Sequence, residues 1–432
     1  MPDPRNTSRR EFAGSSATAA TAATALSTLG VARTAHAAGS GQLSVALVGC
    51  GGRGTGAAAN CLSVQDDVKL IAVADAFEDQ ALRAVDALKK KFGAKVDVPR
   101  ERVFVGFDAY RQAIDTGADL MLLVTPPGFR PMQYRAAVEA GRHVFMEKPV
   151  CVDAPGFRSV MDTNRLADEK NLKVAVGLNS RHTFRIQETV ERVHDGAVGK
   201  VELVRAYCNN AGVWVRPRKP EQTEMEYQMR NWFYFVWLCG DHIVEQHVHL
   251  IDQANWLMGE HPVEANGMGG REVRKGKDHG QIYDHHFVEF TYADGSKMMS
   301  QCRHIPGAWA HAGAAAHGPQ GTADTHGTIT GTNAWNFAGE NVSGHQQEHV
   351  DWLDAIRRDA KYNEGWFGAT SSMTAVLGRM ATYSGKVVRW DDAVAKGPNE
   401  MPDRFAFDAP PPVLPDENGD YPVPIPGVFK PY

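Results

Sequence analysis

Short apolar runs separated by amphipathic stretches set the pattern of the first third of the chain. Leu43–Val48 is a mostly apolar run that ends in glycines, the form of a strand buried on both faces of a parallel sheet. The runs at Val68–Asp75, Val103–Val105, 120–124 and His143–Met146 repeat that form. An Ala-rich helical stretch follows the first run, and an amphipathic helix over roughly 131–140 separates the last two. Strands alternating with helices at this spacing predict βαβ units, and so a doubly wound parallel sheet across residues 39–150.

The pattern then changes. A helix over 154–170 leads to a strand at 173–178, a further helix and a strand at 201–207. Residues 285–304 alternate on either side of Ala293-Asp294-Gly295-Ser296, which reads as an antiparallel hairpin with its turn at the tip. Residues 151–395 are expected to form an α/β domain with a large, mainly antiparallel open sheet. A helix is expected over 348–357. The proline-rich tail, 396–432, is expected to wrap the surface or a neighbouring subunit. The sequence holds no internal repeat.

The first 37 residues do not follow either pattern. Ser8-Arg9-Arg10-Glu11-Phe12, a weakly apolar Ala/Thr/Ser run and Ala35-His36-Ala37 are a charged region, a mild apolar region and a small-x-small cleavage site, in that order. The paired arginines resemble a twin-arginine export signal, so a periplasmic or otherwise exported protein is expected. That route moves proteins already folded in a reducing compartment. The six scattered cysteines, without a C-x-x-C pair, are therefore read as small buried hydrophobes. A folded passenger can also carry a bound cofactor.

A length of 432 residues suits two domains, and 43% hydrophobic with 22% charged residues is ordinary for a globular protein. The formal charge of −5 argues against a nucleic-acid partner. No stretch approaches the ~18 continuous apolar residues of a membrane span.

Candidate chemistry begins at Gly49-Cys50-Gly51-Gly52-Arg53-Gly54, a G-x-G-x-x-G placed directly after a strand and opening a helix. The first glycine allows the tight turn, and the second lets the backbone approach a pyrophosphate. The third lets helix and strand pack closely. Asp75 ends the second strand, placed to accept from the adenosine ribose hydroxyls, and its charge disfavours the 2′-phosphate of NADP. Arg53 stands where it could reach a phosphate. Thr125-Pro126-Pro127 ends the fourth strand, where ligands of such sheets lie, although these prolines also suit a stiffened turn. Glu147-Lys148-Pro149 ends the fifth.

A second concentration is Gly240-Asp241-His242-Ile243-Val244-Glu245-Gln246-His247-Val248-His249-Leu250-Ile251-Asp252. Its apolar positions predict a helix with Glu245, His249 and Asp252 on one face. Three histidines and an acid invite a metal. However, Glu245 and His249 are the only pair at suitable spacing and there is no H-E-x-x-H, so no metal site is assigned.

This ordered set resembles the Gfo/Idh/MocA oxidoreductase family. It comprises the glycine loop, Asp75, Thr125-Pro126 and Glu147-Lys148-Pro149 after Ala140-Gly141-Arg142-His143-Val144, with further matches at Gly177-Leu178-Asn179-Ser180-Arg181-His182 and the histidine segment. The resemblance implies a nicotinamide dinucleotide, NAD before NADP, and a sugar or sugar-derivative substrate. It casts Lys148 as orienting the reacting hydroxyl, His249 as its general base, and Glu147 as buried and structural beside the cofactor. Relatives carry Asp-x-Gly-x-His-x-x-Asp here, so Glu245 replaces an aspartate, His247 a glycine, and Asp252 keeps the last acid. Glu245 then orients the base or binds a sugar hydroxyl, and Arg130, Arg181, His182, His247 and Asp252 become candidate substrate contacts. The resemblance also implies a homodimer or homotetramer.

The Trp- and Arg-rich stretches 213–220 and 230–237 suit either a carbohydrate or a packed interface. Tyr283-Asp284-His285-His286 suits either a pocket lining or hairpin packing. Two chemistries follow. One is hydride transfer at a carbinol carbon, with the cofactor tightly held because an exported enzyme meets little free NAD. The other is glycoside or 3-keto-glycoside cleavage by transient oxidation and elimination.

Overall fold

The structure is a computed structural model that describes residues 41–432, so the export signal expected over 1–37 lies outside the described residues. Six short apolar strands form one parallel sheet. They are β1 (Leu43–Val48), β2 (Val68–Asp75), β3 (Val103–Val105), β4 (Leu120–Leu123), β5 (His143–Met146) and β6 (Val174–Val176), in the order β3-β2-β1-β4-β5-β6. Strand order reverses between β1 and β4, which leaves a crevice at their carboxyl ends. The glycine loop and Thr125 open into that crevice.

The expected boundary at residue 150 falls inside this sheet. β6 pairs with β5 through Val144–Val174 and Met146–Val176, so the apolar run 173–178 belongs to the first sheet rather than the second domain. A distant segment completes the same layer. The helix Gly344–Arg357 buries Trp352 and Leu353 in one core with Val45, Leu47, Phe145 and Ala175. The Trp352 indole donates to the Lys173 carbonyl at 3.1 Å.

The second sheet has nine strands: β7 (Leu203–Asn210), β8 (Glu264–Gly270), β9 (His285–Thr291), β10 (Lys297–His304), β11 (His311–Gly318), β12 (Gly321–Asp324), β13 (Thr328–Gly331), β14 (Trp335–Asn336) and β15 (Val388–Arg389). Their order is β14-β13-β12-β11-β7-β10-β9-β8-β15, antiparallel except where β10 runs parallel to β7. β9 and β10 form the expected hairpin, with Thr291 opposite Lys297. One face of this sheet packs on the helices Val248–Met258 and Gly365–Ser384.

The helix expected through the histidine segment is broken. His242–Glu245 and Val248–Met258 are separate helices, and at the junction both the Gln246 and His247 amides donate to the His242 carbonyl. The apolar periodicity continues across the break. What opens it is a pair of polar demands: His247 is drawn to Ser300 on β10, and the Glu245 carbonyl is drawn to Lys148.

The tail packs on its own chain. Phe405, Phe407, Val413, Tyr421 and Phe429 join an aromatic core with Phe77, Phe107, Phe129 and residues 225–239.

Candidate dinucleotide and reaction site

The crevice is a cavity of about 470 Å³ lined by Gly49, Gly51, Gly52, Arg53, Gly54, Asp75, Thr125 and Pro126, all expected for cofactor binding. The glycine requirements are geometric. Gly49 has φ +94°, and a Cβ there would lie 2.5 Å from the Thr125 amide nitrogen; a Cβ on Gly54 would lie 1.8 Å from the Gly49 carbonyl oxygen. Side chains at Gly51 and Gly52 would meet no protein atom and would fill the crevice instead. The helix Gly52–Val64 begins there without a side-chain cap. Its first amides are thus free to bind an anion, and the dipole favours one. Asp75 accepts from the Cys50 amide at 2.6 Å and the Phe77 amide at 2.9 Å, which orients its carboxylate at the end of β2. Glycine cradle, uncapped helix and acidic strand end together fit a dinucleotide.

Glu147 does not line the cavity. It lies buried beneath the loop, ion-paired to Arg53, which also meets Glu348 at 3.2 Å. Arg53 is thereby tied to two carboxylates. Sequence reasoning missed Glu348, because its partner Arg53 is almost 300 residues away in the chain. Burial pushes its carboxyl up to about 7.

Lys148, Glu245 and His249 gather beyond the end of β5. Lys148 Nζ donates to the Glu245 carbonyl at 2.8 Å and lies 3.2 Å from its carboxylate, with both side chains largely buried. Burial pushes the Glu245 carboxyl up to about 7, against the opposing pull of Lys148. His249 behaves differently from its expectation. Burial, reinforced by the charges of Lys148, His345 and Arg53, holds its pKa well below the ordinary value, and Nδ1 has no partner. The group poised near neutrality is therefore Glu245, and His249 is a neutral ring.

The five expected substrate contacts are engaged elsewhere. Arg130 is buried and ties two strand ends together, donating to the Glu147 carbonyl at 3.0 Å and to the Thr125 carbonyl at 2.5 Å. Arg181 and Asp252 hold each other through contacts of 2.9 Å; Ser371 donates to the same carboxylate, and the guanidinium stacks on Phe367. Burial alone would lower the His182 pKa, but bonds to Asp351 and Glu364 outweigh it and push it up to about 10. His182 is thus a fixed cation between two acids. His247 is sealed in the interior, 2.6 Å from the Ser300 hydroxyl. For Arg181, Asp252, His182 and His247 the partner comes from a distant part of the chain, which residue spacing does not disclose.

Among the described residues, Asp241, His242 and His286 bring candidate metal-ligating atoms within 4.8 Å of one another. The Asp241 carboxylate already accepts from the His242 amide and ring, the Tyr283 amide and the Tyr383 hydroxyl. Arg274 sets a guanidinium 3.4 Å from His242 and 2.6 Å from His304. A saturated carboxylate beside a fixed cation is built as a hydrogen-bonded core network.

Comparison with known proteins agrees with this geometry. Residues 43–178 match the oxidoreductase family with an NAD-binding Rossmann fold, and residues 186–334 match the GFO/IDH/MocA C-terminal domain. An inositol 2-dehydrogenase of Rhizobium meliloti is 26% identical over 56% of this chain and 63% of its own. A D-glucoside 3-dehydrogenase of Escherichia coli is 25% identical over 51% of this chain and 55% of its own. The matches thus span between about half and two thirds of these relatives. The aldose-aldose oxidoreductase of Caulobacter crescentus shares the fold, with a TM-score of 0.63 over 81% of this chain and 99% of that one at 16% identity. With two consecutive family models covering most of residues 43–334, the chain belongs to the Gfo/Idh/MocA family of oxidoreductases.

Proposed function

We propose that this chain is an exported enzyme that keeps NAD(H) tightly bound and moves a hydride to or from a carbinol carbon of a sugar or polyol. The observation that carries the reading is the meeting of Lys148, Glu245 and His249 one residue beyond Glu147, whose carboxylate holds the cavity-lining Arg53. Relatives named for inositol and glucoside dehydrogenation support the substrate class. Asp75 supports NAD over NADP, since a 2′-phosphate would meet its carboxylate. The Arg9-Arg10 leader supports export. The exposed Met268 and Phe287 of the second sheet, with Trp309 in the loop between β10 and β11, support a homodimer or homotetramer.

A bound nicotinamide supplies the two-electron acceptor or donor. Lys148 presents its remaining N–H to the substrate oxygen and polarises it. As Lys148 passes a proton to the Glu245 carboxylate, its amine takes the hydroxyl proton. The neutral His249 ring accepts a hydrogen bond and fixes the substrate's orientation. In the oxidative direction, which the pH profile follows, Glu245 must therefore start ionised. Since burial raises its pKa to about 7, kcat is expected to climb about tenfold per pH unit below that value and level off above it. Glu245→Gln should flatten the acid limb and lower kcat by about 10²-fold or more. A pH–rate profile of both proteins checks this, and an unchanged acid limb in the variant would remove Glu245 from the mechanism.

The second reading is glycoside cleavage. Oxidation at one ring carbon acidifies the adjacent C–H, elimination expels the leaving group, and the electrons return. A carboxylate poised near neutrality beside Lys148 favours it, because elimination needs an additional proton acceptor. One experiment separates the two. The purified protein is denatured to identify released nucleotide, then the native protein is incubated with polyols, sugars and glycosides while near-ultraviolet absorbance is followed. Lasting reduction of the nicotinamide supports dehydrogenation. Cleavage without lasting reduction supports elimination, and no nucleotide with no binding of added NAD refutes both.

A further inference from the structure

The cavity is not bounded by the parallel sheet alone. Trp214, Arg216, Met229, Arg230 and Trp232 line it from the second domain, along the same stretch that includes the helix Glu224–Arg230. Two sets of contacts fasten that stretch. Toward the first sheet, Arg230 pairs with Asp79 at 2.9 Å and lies 3.7 Å from the centre of the Phe77 ring. Toward the tail, Gln228 donates to the Val413 carbonyl at 2.7 Å. Arg218 donates to the Tyr421 hydroxyl at 3.0 Å, and that hydroxyl donates on to Glu224.

The tail also reaches the cavity wall directly. Phe407 packs on Phe77 and Phe107, with ring centres 5.3 and 4.9 Å apart, and Phe405 packs on Phe129 at 5.4 Å. Phe77, Phe107 and Phe129 are themselves lining residues. Phe77 and Phe107 follow the ends of β2 and β3, on the Asp75 side of the switch point, where the adenosine half of a dinucleotide lies.

We propose that residues 213–235 form a roof over the adenosine half of the bound dinucleotide and that the tail, through Phe405, Phe407, Val413 and Tyr421, is its latch. The proposal rests on the cavity being the dinucleotide site. Release then requires the tail to peel away from two aromatic walls before the Arg230–Asp79 pair can open, so dissociation is slow. The nicotinamide is reset in place between turnovers. A substrate that takes or returns electrons at the other end of the cavity does this, and exchange of the whole dinucleotide does not.

The test uses the full chain loaded with NADH. Trp214 and Trp232 lie in the cavity, so energy transfer from tryptophan to bound NADH reports occupancy, and its decay after mixing with excess NAD gives the release rate. Two variants loosen the two fastenings: Phe405→Ala with Phe407→Ala, and separately Arg230→Ala. Each is expected to release NADH at least about tenfold faster than the natural protein, with its thermal midpoint measured alongside. Equal release rates in the natural protein and the variants overturn the latch and leave the dinucleotide site standing. Failure of the natural protein to bind NADH overturns the site, and the latch with it. If the phenylalanine pair does not fold, Tyr421→Phe, which removes the hydroxyl joining the tail to Arg218 and Glu224, decides the matter.

Discussion

Lys148→Met should lower kcat by about 10²–10⁴-fold, the range for removing a positioned proton-transfer group, while nucleotide content and the thermal midpoint stay near those of the natural protein. The contrast follows from the pair's chemistry. Lys148 is the nearest opposing charge to a buried carboxyl whose pKa already stands near 7. Without the ammonium, only the weaker pull of Arg130 opposes burial and the repulsion of Glu147, so Glu245 binds a proton and becomes neutral. No uncompensated charge is left inside, and methionine fills the lysine stem's volume. Stability is thus spared while the polarising N–H and the proton path are both lost. Steady-state kinetics and a melting curve on the same preparation check this. A variant with normal kcat would remove Lys148 from the chemistry, whatever its neighbours.

Asp252→Ala should do the reverse, destabilising the fold by about 3–5 kcal/mol through an unpaired buried cation. The Asp252 carboxylate is fully buried and accepts from Arg181 and Ser371. Arginine cannot neutralise itself as glutamate does, so its charge stays uncompensated. Arg181→Met combined with Asp252→Leu should recover most of the loss, because an apolar pair of similar size removes both charges. Urea midpoints of the single and double variants measure it. Were Asp252 a substrate ligand, the midpoint would hold and KM would rise instead.

These two residues mark where sequence reading works and where it stops. The strands β1 to β5 and the glycine loop are legible because their signals are local: apolar runs of three to eight residues, and glycines whose spacing matches one turn. β6 is equally apolar, but which sheet it joins depends on His143–Met146 offering an unpaired edge, which no local pattern states. The break at Gln246–His247 is invisible for the same reason. Its causes, Lys148 and Ser300, lie about 100 and 50 residues away. Lys148 and Glu245 could be singled out because the chemistry of the motif pointed to them. Arg181, His182 and Arg130 are alike in the sequence, as charged groups following strands, and only their partners distinguish them. Phe77 and Phe107 could have been found: each lies two residues past a strand end on the cavity side, and both line the crevice.

The return of Gly344–Arg357 to the first sheet has a consequence for how the protein is made. Trp352 and Leu353 seal the face of Val45, Leu47, Phe145 and Ala175, and Glu348 supplies Arg53 with its second carboxylate. A ribosome that has finished all six strands of the parallel sheet has therefore not finished the half-molecule they belong to. That apolar face stays open, and the glycine loop's arginine keeps only one of its two acids, until a further ~170 residues have emerged, about 10–30 s at ordinary elongation rates. During that interval the nascent chain is a client for chaperones. A fragment ended after β6 would remain one permanently.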